Sequence, residues 1–319
     1  MPLPPTLASQ SSDITPLATS EDSPCFGDIF DAGLKVLNAS CPFQKASLTL
    51  SGVDAYLEGR LGLPSSLPLS KEEVLARIPV KPARPTHPRA PSLPSSVPAG
   101  PPMSGKKKGI VASIHGIAHA ESWAIDLMWD LLLRFAYDVQ AAEPSFWDDF
   151  LRIVREEAEH FLSWTRRLEE GYGIRYGTLP VHDALWECAE ASKDDVMARF
   201  SLINLLQEAR GLDTSEITLQ RLLRAGDSVS AETLQKNAKE EEGHVAAGIK
   251  WFCYVKDKRL LQGSCESNFH RYVKERYRGR IAPPFNVEAR RRAGMCEAWY
   301  FPLVTPSKEG GKGGGNESR

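Results

Sequence analysis

Cysteine is sparse and unpatterned in this 319-residue chain: six residues, at 25, 41, 188, 253, 265 and 296, with no CxxC pair. That excludes a dense disulfide framework and predicts free thiols in a reducing compartment. Long hydrophobic runs are missing too, and none approaches the roughly 20 apolar residues that a membrane-spanning helix needs. The opening stretch, MPLPPTLASQSSDITPL, has neither a basic start nor an apolar h-region, and Asp13, Glu21 and Asp22 disfavour a mitochondrial transit peptide. A soluble, cytoplasmic protein is expected. An excess of one charge is also lacking: 39 Lys and Arg against 41 Asp and Glu leave a net charge of -2. A wholesale nucleic-acid or membrane binder is thereby excluded, and only local patches remain open.

What is present is enough apolar sequence, 42% of residues, for one sizeable core. Residues 1–25 are rich in Ser, Pro and Thr and are predicted to be disordered, while 26–62 carry the spacing of two short helices, a small appendage. Across 63–109 lies a Pro-rich linker or strap. Within it PVKPARPTHPRAPSLP repeats proline about every third residue, the pattern of a polyproline II segment that packs as a strap or serves as an SH3-type ligand. Helical patterns then run over 110–255, broken near 141–145 and 224–228. A basic extension follows over 256–304, and a Gly-rich tail predicted to be flexible closes the chain at 305–319.

The helical region holds the chemistry. Ile114, Ala118, Glu121, Ile125, Met128 and Leu132 alternate at four and three residues, which puts Glu121 on a core-facing stripe. A second stripe runs Phe146, Phe150, Ile153, Glu157, His160, Trp164. A third helix, with Ser192 as its expected N-cap and Asp195 three residues on, places Glu208 between Leu205 and Leu212. The fourth carries Leu234, Ala238, Glu241, His244 and Gly248. The pattern is therefore duplicated: a lone Glu, then ExxH 36 residues later in one half and 33 later in the other. Midpoints of the two spacings fall beside the two breaks, so each lone Glu is expected level with its ExxH across a helical hairpin.

Four carboxylates in a low-dielectric interior repel one another and are costly to desolvate, whereas two divalent cations cancel their charge. Two imidazoles add nitrogen ligands suited to iron. The set Glu121, Glu157, His160, Glu208, Glu241, His244 matches the inward-facing ligands of ferritin-like di-iron and di-manganese carboxylate bundles. The expectation is an all-α, ferritin-like four-helix bundle with a long crossover between its second and third helices, binding two iron ions or, as the alternative, manganese.

Six segments in order, HGIAHAESWAIDLMWD, EEAEHF, YGTLPVHDALWE, EARGLD, EEEGHVAAGIKWF and PPFNVEARRRAG, resemble the DUF455 family over roughly 26–300. The resemblance implies a ferritin-like domain and leaves the activity open. Glu242 departs from the apolar residue usual there. A di-iron tRNA hydroxylase acting on isopentenyl-adenosine is an analogue at the level of the fold alone.

Other side chains have weaker claims. His115 and His119 share a face but lie about 120° and 160° around the helix from Glu121, at 100° per residue, so a supporting role is expected for both. In the crossover, His182 and Trp186 are pocket candidates. Arg210 and Asp213, one turn apart, are expected to pair and brace Glu208. Residues 256–297 hold eleven Lys or Arg against five acids; Arg271, Lys274, Arg276 and Arg278, interleaved with Tyr272 and Tyr277, are candidate RNA contacts. The leading functional expectation is a di-iron oxidoreductase that activates dioxygen for hydroxylation or desaturation of an organic substrate, with an electron donor that the sequence does not name. The alternative is a metal-stabilised, non-catalytic binding module.

Overall fold

The computed structural model describes residues 25–63, 70–85, 105–139 and 144–305. Expectations of disorder at 1–24 and in the tail from 306, and of polyproline II beyond 85, lie outside those residues. Every regular element described is helical: α1 (Ile29–Asn38), α2 (Pro42–Leu57), α3 (Lys71–Arg77), α4 (Gly105–Arg134), α5 (Ala136–Val139), α6 (Pro144–Tyr172), α7 (Ala184–Glu190), α8 (Val196–Arg199), a π-helical stretch (Phe200–Gln207), α9 (Glu208–Arg224), α10 (Ser228–Lys258), α11 (Cys265–Arg276), α12 (Val287–Arg292) and α13 (Glu297–Tyr300). The protein is all-α. None of these helices is long and apolar enough to cross a membrane.

Local chemistry sets the ends. The break after α9 works through Gly226, at φ +76°, where a side chain would be strained, followed by Asp227, whose carboxylate accepts from the Ser230 N–H at 3.0 Å to cap α10. Asp227 also takes the Arg167 guanidinium at 2.7 Å, tying the end of α6 to the start of α10. The third helix starts differently from its expected cap. Asp195, not Ser192, caps α8 by accepting from Met197 N at 2.9 Å. Ser192 is fully buried and accepts from Arg199 Nε at 3.1 Å, so packing of the arginine, not capping, fixes it.

α4 packs along α6, α9 lies along α10, and α10 also meets the π-helical stretch and α6. At Gly248 of α10 a Cβ would collide with the Asn204 carbonyl, so glycine allows the π-helical backbone its close approach. Two apolar clusters fill the interior. The larger contains Ile125, Phe150, Phe200 and Trp251; the smaller contains Val111, Ile114, Trp164, Leu168 and Leu222. Along α4 and α6 the two are separated by the layer of Glu121, Glu157 and His160.

α1 and α2 pack on α4 and α6, as two short helices. The strap region contains α3, a helix the proline pattern concealed, with a complete capping box between Ser70 and Glu73. The strap's described end docks on α4: Arg84 lies over the Trp123 ring at 3.6 Å and donates to Ser122 Oγ at 2.9 Å. The expectation of six free thiols is corrected at one place. Cys253 and Cys265 form a disulfide between α10 and α11, with Cα atoms 5.7 Å apart. Cys25, Cys41, Cys188 and Cys296 are free.

Candidate metal centre

Each of the long helical segments brings one glutamate to a common cluster, and α6 and α10 add a histidine each. Glu121 of α4, Glu157 and His160 of α6 and Glu241 of α10 offer ligand atoms all within 4.8 Å of one another; so do Glu157, Glu208 of α9, Glu241 and His244. Glu157 and Glu241 belong to both groups. They lie between Glu121–His160 on one side and Glu208–His244 on the other, so the two groups could hold adjacent cations with shared carboxylates.

Separations agree with that geometry. His244 Nδ1 is 3.0 Å from Glu157 Oε1 and 3.2 Å from Glu241 Oε2, and His160 Nδ1 is 3.5 Å from Glu241 Oε1 and 3.8 Å from Glu121 Oε2. Ligands held about 2.1 Å from a common ion lie roughly 3.0 Å apart at a right angle and roughly 4.2 Å apart across it. The approaches lack hydrogen-bond alignment: both oxygens of Glu157, His160 Nδ1 and His244 Nδ1 are buried without a hydrogen-bond partner. Glu157, His160 and His244 are each only 1% exposed. Such orphaned atoms cost free energy when buried, and here they are the atoms that would face the ions.

The far side of each imidazole is occupied. His160 Nε2 lies 2.8 Å from Glu240 Oε2 of α10, and His244 Nε2 lies 2.8 Å from Glu156 Oε2 of α6. Each histidine is thus held by a carboxylate from the opposite helix. A proton on Nε2, donated to that carboxylate, leaves the Nδ1 lone pair directed at the centre. Glu156 and Glu240 lie off the core seam, outside the apolar stripes. Their signal is nevertheless legible as a doubled glutamate, Glu156–Glu157–x–x–His160 and Glu240–Glu241–x–x–His244.

Without cations the cluster balances its charge by protons. Burial, followed by neighbouring carboxylates, pushes Glu121 and Glu208 well above the ordinary carboxylate range, even though His160 and His244 pull the other way. Burial opposes charge on His244 and His160 as well, yet the surrounding glutamates hold both well above the usual imidazole range. Glu241 and Glu157 stay low despite burial because both imidazoles face them.

The remaining candidates do not join these groups. His115 Nε2 accepts from the Gly177 N–H at 2.9 Å and its ring stacks on Tyr176. His119 pairs with the Tyr176 hydroxyl at 2.9 Å and with the His182 carbonyl at 3.0 Å, anchoring the crossover to α4. His182 itself is exposed, whereas Trp186 is buried and stacks on Trp123 at 5.8 Å. The expected Arg210–Asp213 pair does not form. Asp213 binds Arg290 instead, at 2.6 Å, because the C-terminal segment brings a buried guanidinium closer than one helical turn does. Among the RNA candidates, Arg276 is held by Asp194 at 2.6 Å and Tyr272 is buried, so neither is presented to a ligand; Arg271, Lys274 and Arg278 are exposed. Glu242, the departure noted above, is neutralised by Arg292 at 2.7 Å and Lys239 at 2.8 Å.

Fold and site together define a class: an all-α protein whose interior carries a buried layer of glutamates and histidines able to hold metal. The chain belongs to the DUF455 family, described as "Protein of unknown function", which matches residues 38–301. It is 32% identical over 196 residues to an "Uncharacterized protein" of Haemophilus influenzae, a match covering 60% of this chain and 66% of that protein, just under two thirds of its length. No solved structure matches.

Proposed function

We propose that the protein is a ferritin-like four-helix bundle holding two metal ions, iron with manganese as the alternative, and that it oxidises an organic substrate with dioxygen. One observation carries this reading: the buried atoms that lack any hydrogen-bond partner include both Glu157 oxygens and the Nδ1 atoms of His160 and His244, and these converge on the same two groups. A core that merely tolerated acids would give these atoms aligned hydrogen bonds. The donor set supports the choice of metal, since carboxylates and imidazole suit iron and manganese and no cysteine enters either group. The metals would supply redox chemistry with dioxygen. The chain's own part is to hold the donors in place: Glu157 and Glu241 shared, Glu121 and Glu208 at the outer positions, and Glu156 and Glu240 orienting the two imidazoles.

The test is elemental analysis of protein purified without chelator, followed by dioxygen consumption with a chemical reductant. Two metal ions per chain are expected. Glu208→Ala should lose metal and His115→Ala should keep it; the reverse result would remove the ligand assignment. Two bound ions without dioxygen consumption across reductants would favour the non-catalytic binding module.

A further inference from the structure

A second built site lies outside the metal layer. The loop from Tyr277 to Phe285 and the face of α9 opposite Glu208 line a half-open cavity of about 330 Å³. Its walls are apolar and aromatic, with Ile217, Pro284, Tyr277 and Phe285 among them, and two guanidiniums, Arg210 and Arg280, edge it. We infer that this cavity binds a phosphate monoester joined to a planar ring, a nucleotide in chemical class.

Charge placement separates this cavity from an ordinary basic surface. Of the three arginines that line it, Arg290 is neutralised by Asp213 at 2.6 Å. Asp213 is spent on that pairing, since its Oδ1 also accepts from the Asn286 N–H at 2.9 Å. Arg210 and Arg280 differ. Among the described residues neither forms an ion pair, and Arg210 reaches only the Arg280 carbonyl, at 3.4 Å. The cavity therefore carries two uncompensated guanidiniums over a neutral floor. A phosphate monoester, near -1.5 to -2 at neutral pH, matches two such groups better than a single carboxylate does, and the planar fork of arginine is suited to phosphate oxygens.

The ring half of the ligand follows from the aromatic wall. Tyr277 lies against Gly279 so closely that a Cβ there would collide with the phenol. Its side chain is half-buried at the cavity. Phe285 is already packed on Tyr300 at 4.9 Å and is crossed by Arg290, whose Cζ is 5.1 Å from the ring. Tyr277 is consequently the surface on which a base would stack. The volume suits one nucleotide, lying at the lower end of small-molecule sites.

Titration of the full-length protein with AMP, adenosine and inorganic phosphate at low ionic strength tests the assignment. AMP should bind saturably, with adenosine and phosphate each at least tenfold weaker and affinity falling as salt rises. Arg210→Glu with Arg280→Glu should weaken AMP at least tenfold, while Arg280→Lys keeps part of the affinity and Tyr277→Ala affects AMP but not phosphate. Unchanged melting of each variant excludes unfolding as the cause. Oligoadenylate with and without a 5′-phosphate distinguishes a free nucleotide from the end of an RNA. No saturable AMP binding, equal binding of adenosine, or undiminished binding by the double glutamate variant would overturn the proposal.

Discussion

α4 carries two kinds of acid only nine residues apart, Asp130 wholly buried and Glu121 with 12% of its side chain exposed. Asp130 is enclosed by cations: Arg199 Nη1 lies 2.5 Å from one oxygen and Arg134 Nη2 lies 2.6 Å from the other, and the remaining Arg199 donors go to Ser192 Oγ and the Ala189 carbonyl. Arg199 and Arg134 hold Asp130 below its ordinary range although burial pushes it up. Glu121 meets no such cation and is pushed up. Both sit in the same helix and the same core, so burial alone does not decide what an acid is for. An acid with its own arginine is a structural tie. An acid whose neighbours are further acids and imidazoles could hold a cation from outside the chain, as proposed above.

Breaking the tie should have the largest effect. Asp130→Ala leaves Arg199 buried and unpaired, and a loss of about 3–5 kcal/mol is expected, equal with and without chelator in urea unfolding. If the loss disappears on chelation, the two regions are not independent.

Metal removal comes next. A ligand bound only by the native state contributes about 2.7 kcal/mol at a hundredfold excess over Kd, so chelation should lower the melting midpoint. The pH dependence has a definite sign. Glu121, Glu208, His160 and His244 are all raised in the metal-free fold. Stability from protonated groups of this kind is present below their unfolded values, 4.5 for glutamate and 6.5 for histidine, and is lost as pH rises through the folded ones. Metal binding gains with pH because protons no longer compete for the donors. The difference in melting midpoint between loaded and chelated protein should therefore widen from mildly acid to mildly alkaline buffer. A constant difference would contradict the clustered-charge reading.

Smaller effects sharpen the contrast. Glu240→Gln and Glu156→Gln should each weaken metal binding about 10–100-fold by releasing one imidazole, measured by competition with a chromophoric chelator; no change would leave these glutamates as surface charges. Smallest of all, Glu208→Gln should change the stability of the chelated protein by less than about 1 kcal/mol, because burial and neighbouring carboxylates already disfavour the charged form of this carboxyl. Asp130→Asn, the same chemical change in the paired region, should cost far more.

Much of this contrast was legible before folding. Spacings of three and four put Glu121, Glu157, His160, Glu208 and Glu241 on apolar stripes, and the breaks at 141–145 and 224–228 marked the hairpins, because helical periodicity and turn chemistry are local properties. Partners were not legible. Asp213 was expected to take Arg210, one turn away, and takes Arg290, 77 residues away; Ser192 was expected to cap a helix and instead holds Arg199. The π-helical stretch before Glu208 has no signature in periodicity, and its close approach to Gly248 is a contact between distant segments.

The sequence by itself determined the long helical segments of 110–255, the facing of their acidic residues and the absence of Lys or Arg one turn from those residues, since each depends on residues within a few positions. Tertiary structure alone decided which acids found arginines, which imidazole each of Glu156 and Glu240 holds, and that Cys253 meets Cys265. Hydrogen bonds and ion pairs act over a few ångströms in space, and only the packing of distant helices sets that distance.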